Sequence, residues 1–294
     1  MPRDLSDVIH YFIPESEADA DADADDQAEP APVSVRPGNR GRRIDLVPTS
    51  AQAGNRARRE ARRRLGALPI VAVPIGDRDV VRAAFTWNLA VEVARMGGRG
   101  VVVTPSDTQP SPLWPEAGIG PMGAEVVPTP ASDLGALYRV AIDVAVARTD
   151  LAAEGGLVFV RVPTSWLAAE AEGAGLLRWV LLFSLSSRDS LRECFDTAQR
   201  VARINPKAQI GVTIHGARKR GEAEDAFTSL ARATRKRIGH SLLSYGLLVD
   251  DLHVYRAIVA QRPIGLAHPQ SPAARALRDV AQLLSEDARK RAVA

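Results

Sequence analysis

From Leu68 onward the chain alternates short apolar runs with longer amphipathic stretches, and this alternation restricts the fold more than any other feature. The strand-like runs are 69–74, 100–103, 125–127, 156–162, 179–184, 209–214 and 245–249. Helix-like stretches lie between and after them, at 79–96, 132–148, 165–172, 189–203, 222–238, 252–260 and 271–290. Several of the strand runs are apolar on both faces, as expected of strands covered by helices above and below. Repeated strand–helix alternation predicts an α/β fold with a doubly wound, mainly parallel sheet. Right-handed crossovers then put ligand sites at the carboxyl ends of the strands.

Residues 1–66 follow a different pattern. Leu5, Val8, Ile9 and Phe12 fall at i, i+3, i+4 and i+7, one face of a short helix that Asp4 or Ser6 can cap and Pro14 would stop. An acidic, Ala/Pro-rich stretch follows, with almost nothing to bury, and is expected to be disordered. Charge then inverts into an arginine-dense segment that includes Arg56, Arg58, Arg59, Arg62, Arg63 and Arg64. The expected organisation is an interaction helix over 1–15, a linker over 16–66 and an α/β domain over 67–290.

Composition removes several function classes. A single cysteine, Cys194, excludes an internal disulfide and a Cys-rich zinc site. The five histidines show no ligand spacing, so no metal and no cofactor is expected. Aromatics are 5% of residues, so Val, Leu, Ile and Ala must carry the core. No apolar run approaches the ~20 residues of a membrane span. The acidic N-terminus is unlike a signal peptide, which points to the cytoplasm.

The first strand–helix unit, LPIVAVPIGDRDVVRAAFTWNLAVEVARMGGRGVVVTPSD, resembles the opening of the MinD/ParA family of P-loop ATPases, in particular its flagellar-number-regulator branch. Asn88, Leu89 and Ala90 match the family's Asn-Leu-Ala helix, and 97–103 match its second strand. Near the C-terminus, Gly246, Asp250, Gln261, Arg262, Pro263, Ser271, Pro272, Ala273, Ala274 and Arg275 match the final strand and closing helices. The resemblance covers roughly residues 68–285 and implies a P-loop NTPase-like fold.

It also implies where nucleotide chemistry would lie, and there the sequence departs from the family. The phosphate-binding lysine position falls on Arg82, the magnesium hydroxyl on Ala83 and the signature lysine on Asp77. Of the loop glycines only Gly76 remains, and β-branched Val80 and Val81 cannot readily adopt the conformations of a phosphate nest. The second strand ends in Thr104 where the family has a water-activating carboxylate, and Asp107 comes two to three residues late. The metal-linked carboxylate position falls on Arg161. Since phosphoryl transfer is positioning plus charge stabilisation, these losses together predict a pseudo-ATPase. Arg82 and Arg161 either meet and hold an anion bidentately or each pairs with Asp77, Asp79 or Asp107. His215 is either a remnant of a base contact or a strand-end polar residue.

The expected function is that of a scaffold or adaptor in the spatial organisation or assembly of a bacterial envelope apparatus, such as a flagellum, pilus or secretion system. A protein partner would dock on Leu5, Val8, Ile9, Tyr11 and Phe12, with the aromatics as anchors, the alternative being that this stripe folds back onto its own domain. That partner would bring the protein to the inner face of the envelope. Homodimerisation, or pairing with an active paralogue, stays open. Two alternatives remain: a divergent ATPase using Arg82, and a DNA-associated partitioning factor binding through Arg62, Arg63 and Arg64. No aromatics interleave that cluster, so nucleic acid is not favoured. The polar stretch 285–291 lacks large apolar residues, so direct membrane recruitment is not favoured either.

Overall fold

The computed structural model describes residues 67–106, 113–149, 155–167 and 172–293. The expectations for residues 1–66, including the interaction stripe and Arg62, Arg63 and Arg64, lie outside the described residues, as does Asp107.

Eight strands form one sheet: β1 (Ile70–Ile75), β2 (Arg99–Pro105), β3 (Gly118–Ile119), β4 (Glu125–Thr129), β5 (Gly156–Pro163), β6 (Trp179–Leu185), β7 (Gln209–Ala217) and β8 (Leu242–Val249). Their order across the sheet is β3-β4-β2-β5-β1-β6-β7-β8. Every pairing is parallel except that of β3 with β4. The helices are α1 (Val80–Arg95), α2 (Leu134–Ala147), α3 (Arg188–Ile204), α4 (Arg220–Ile238), α5 (Leu252–Val259), α6 (Ile264–Ala267) and α7 (Pro272–Val293). The expected α/β doubly wound fold is therefore present, with the β1–α1 turn at the middle of the sheet's carboxyl edge.

Local chemistry sets where helices begin. Asp79, Asp133 and Asp251 cap α1, α2 and α5, each carboxylate accepting a backbone N–H from the first turn. The core is built on aliphatics, with β1, β5 and β6 almost wholly buried. Burial of both strand faces is what made their sequences read as continuous apolar runs rather than alternating ones. At the far end, the Trp179 indole donates to Tyr245 at 3.1 Å, and Tyr245 donates to Asp287 of α7 at 2.9 Å. Arg291 stacks over Trp179 at 4.2 Å. This polar chain fastens the closing helix to the sheet.

Two expectations are corrected. The helix expected over 165–172 is a single 3-10 turn, Thr164–Trp166, and residues 168–171 lie outside the described residues. Leu167 is buried in the core, so the apolar residues there pack without needing a helix. The strand expected at 245–249 starts earlier, at Leu242, because Leu242 and Leu243 pair with Ile210 and Gly211 of β7. The sequence reading also missed β3 and α6, both too short to show a period.

Two glycines separate packing from conformation. At Gly100 a methyl group would run into the backbone of Ala90, because β2 and α1 touch there. At Gly76 the same methyl would meet nothing within 4 Å. Gly100→Ala is therefore expected to destabilise the domain by about 3 kcal/mol or more. Gly76→Ala should leave stability unchanged or raise it by about 0.5–1 kcal/mol, through reduced freedom of the unfolded chain. Urea unfolding of the two variants checks the contrast.

Candidate functional site

The site expected from the sequence is the turn between β1 and α1. Its first N–H groups are engaged by the chain itself. Asp79 N donates to Gly76 O and Val80 N to Arg78 O, both at 3.1 Å, and Arg82 N donates to the Asp79 carboxylate at 2.9 Å. An anion seated on a helix start needs such donors pointing outward. Ala83 adds no hydroxyl, and its N–H bonds Asp79 O at 3.2 Å.

Arg82 points away from β2 and bridges α1 to α3. Its guanidinium meets both Glu193 carboxylate oxygens, at 3.0 and 3.3 Å, and Asp79 at 3.1 Å. Burial opposes its charge, but the Glu193 hydrogen bonds and the charges of Asp79 and Glu193 outweigh this and raise its pKa above the usual arginine value. Beside it lies Cys194, fully buried, whose thiol burial pushes up to about 12. His215 lies under Phe85, with ring centroids 5.3 Å apart, and is 7% exposed. Burial first, and the charge of Arg82 second, lower its pKa to about 4. The ring is thus neutral. β7 continues to Ala217, so His215 lies two residues inside its carboxyl end.

Arg161 occupies the other side of the turn. It pairs in register with Val73 of β1 and is 2% exposed. Its Nη1 donates to the Thr104 hydroxyl at 3.4 Å, and its Nη2 lies 3.5 Å from the Asp77 carboxylate. The Trp114 indole covers the guanidinium at 4.5 Å. Burial lowers the Arg161 pKa, and Asp77 partly restores it. Between these groups, Ile75, Ala83, Thr86 and Val102 leave about 10 Å³ of open volume, scarcely room for one water.

Of the two arrangements left open for the arginines, the paired one is observed. Arg82 meets Asp79 and Arg161 meets Asp77, and each is held on its own side of the turn. Sequence reasoning missed Glu193 and Trp114. Glu193 lies 111 residues from Arg82, and no local pattern marks it. Trp114, in a Pro/Gly-rich connection, was the one available signal, since a large aromatic there needs something to cover.

The matched motifs also come together. The Asn88 side chain donates to Ala84 O at 2.8 Å and accepts from Ile264 N at 2.7 Å, directly after Pro263. One turn on, buried Glu92 accepts from Arg95 at 2.7 Å and faces Arg278 of α7 at 3.6 Å. These positions therefore fasten α1 to the C-terminal helices. Among the described residues, no group of three or more His, Cys, Asp or Glu is placed to hold a metal, and no helix is long and apolar enough to cross a membrane.

No protein-family model matches the chain, and no curated protein matches it in sequence. Solved structures do resemble it. The MinD cell division protein of Aquifex aeolicus superposes with a TM-score of 0.55 at 11% identity, covering 74% of this chain and 97% of that one. The chain has the MinD-type fold. The MinC:MinD cell division complex of the same organism gives a TM-score of 0.52 at 12% identity, over 74% and 96% of the two chains. The septum site-determining protein MinD of Pyrococcus horikoshii, complexed with Mg-ADP, gives 0.50 at 12%, over 74% and 95%. At such identities the likeness establishes the MinD/ParA-type P-loop NTPase fold alone.

The buried neutral histidine makes acid sensitivity a test of this geometry. The unfolded chain protonates His215 near pH 6.5, and the folded one only near pH 4. Between those values the unfolded state binds more protons, so stability falls as pH drops from about 6.5 to about 4. His215→Leu removes this component and leaves the other titrating groups in place. Urea unfolding at pH 7 and pH 4.5 should show a smaller loss in the variant than in the parent. Equal losses would contradict the buried, uncharged ring.

Proposed function

We propose that this chain is a non-catalytic MinD/ParA-like protein, a pseudo-ATPase that works as a scaffold by binding partners. The observation that carries this reading is the pair of arginines at the β1–α1 turn. Each is neutralised by carboxylates of the chain itself, Arg82 by Asp79 and Glu193 and Arg161 by Asp77. A triphosphate would have to displace those carboxylates, move Trp114 and break the internal N–H bonds of the turn. It would then find no hydroxyl at Ala83 for magnesium. Asp77, half exposed at the mouth, adds repulsion toward any phosphate tail.

What the fold retains supports the adaptor role. MinD of Aquifex aeolicus is found in a complex with MinC, so a MinD-type domain can present a surface to a partner protein. Here the sheet, the caps and the α1–α7 packing are intact, while the turn is closed by side chains. The process we favour is organisation or assembly of a bacterial envelope apparatus, by analogy with flagellar-number-regulator relatives. In it the N-terminal stripe around Phe12 engages the partner.

Isothermal titration of the purified full chain with Mg-ATP tests the catalytic half of this reading. No saturable heat is expected at millimolar ATP, and no phosphate release. Saturable, magnesium-dependent binding with turnover that disappears in Arg82→Ala would replace this reading with that of a divergent ATPase.

A further inference from the structure

Helix α5 is apolar on two faces. Val254 and Ala257 point inward and are buried. Leu252, Tyr255 and Val259, at i, i+3 and i+7, are 70%, 51% and 69% exposed. A surface helix ordinarily keeps one apolar stripe for the core and a polar face for water. Beyond the end of this outward stripe lies a cleft lined by Trp87, Leu113, Ile119, Ile258, Gln261 and Arg262. Its volume is about 190 Å³, smaller than the ~300–1,000 Å³ of sites that enclose whole small molecules. It suits one or two large side chains instead. Backbone strain borders it: Gln261 has φ +52°, in the left-handed region that non-glycine residues rarely adopt. Leu113 and Ile119 on the opposite wall are themselves exposed.

The sequence holds one other apolar helical stripe without a core to join: Leu5, Val8, Ile9 and Phe12. We propose that residues 4–13 of this chain pack lengthwise on the outer face of α5, with Tyr11 and Phe12 entering the cleft beside Trp87. Both stripes run from i to i+7 with apolar residues at i, i+3 and i+7; at i+4 the segment has Ile9 and α5 has Arg256. Charge fixes the direction. The acidic run after Pro14, from Glu15 to Asp26, carries no Lys or Arg. The far end of α5 presents exposed Arg256 and Arg262. Running the segment parallel to α5 puts those opposite charges together, and its aromatics beside the cleft. Reach is no obstacle. Residues 15–66 can extend up to about 170 Å, several times the ~17 Å radius of gyration of a domain this size. A contact within one chain also gains from an effective concentration of order millimolar.

Docking of this kind is a switch on the proposed adaptor function. The segment that engages a partner is held against its own domain until that partner competes for it. The proposal rests on reading residues 4–13 as the partner-binding stripe. It is independent of whether nucleotide binds, because α5 and the β1–α1 turn share no residues.

A fluorescent peptide of residues 1–18 provides the test. It is titrated into the full chain and into protein lacking residues 1–30; the latter keeps the whole sheet and its core, which lie within 67–293. The truncated protein should bind the peptide, and the full chain should bind it at least about tenfold more weakly because its own segment holds the site. Val259→Asp in the truncated protein, or Phe12→Ala in the peptide, should each weaken binding by about tenfold or more. Val259 is surface-exposed, and an unchanged thermal melt shows that the fold survives its replacement. No binding to the truncated protein overturns the proposal, as does equal binding to both proteins or indifference to Val259→Asp. Sedimentation of the full chain separates the remaining case. A dimer that disappears on deleting residues 1–30 would assign the segment to a second copy and overturn docking within one chain. Failure here leaves the ATP titration untouched, so the two readings can fall separately.

Discussion

Taking an arginine out of water costs several kcal/mol unless its charge and donors are met in place. Arg161, on the strand beside the central one, imposes that condition on the whole carboxyl edge of the sheet. Thr104 of β2 supplies an oxygen, Asp77 of the β1–α1 turn a charge and Trp114 a ring face. Three separate segments are held by one guanidinium. Arg82 does the same on the other flank, joining the start of α1 to Glu193 of α3 and leaving His215 neutral behind it. The edge where a doubly wound sheet ordinarily receives its ligand is here knitted together by the protein's own ions.

The consequence for specificity is physical. A site that binds phosphate keeps its cations and amide donors uncommitted until the ligand arrives. Here both kinds of group are committed in advance, by Asp79 to Arg82 and by Gly76 O to Asp79 N. An anion would compete with carboxylates already at ion-pair distance and covalently tethered, a competition it enters with no gain in charge.

How much of this was legible in the sequence depended on range. The sheet could be read because burial on both faces writes continuous apolar runs, and because the three Asp caps mark helix starts locally. The residue types at the turn could also be read, since Asp77, Arg82, Ala83 and Arg161 are visible in the sequence itself. The long-range partners of the arginines could not. Glu193 acquires its role only when α3 comes to lie beside α1, and Trp114 only when its loop folds over β5. Asn88 could be matched as a motif, but its use could not be foreseen: its amide is spent on Ile264 N, tying the first helix to the segment after Gln261-Arg262-Pro263. β8 starts at Leu242 although polar Ser244 stands in its apolar run. In the fold Ser244 is buried and its hydroxyl accepts from Gly246 N at 3.1 Å.

These contacts also explain why closing the turn need not cost the fold its stability. The junction of α1 with α6 and α7 rests on Asn88, Glu92, Arg95 and Arg278. The closing helix is held at its other end by Trp179, Tyr245 and Asp287. These two anchorages therefore do not depend on the ion pairs that Asp77 and Asp79 make at the turn. Leu252, Tyr255 and Val259 of α5 and Ile119 of β3 are among the large apolar residues that face water.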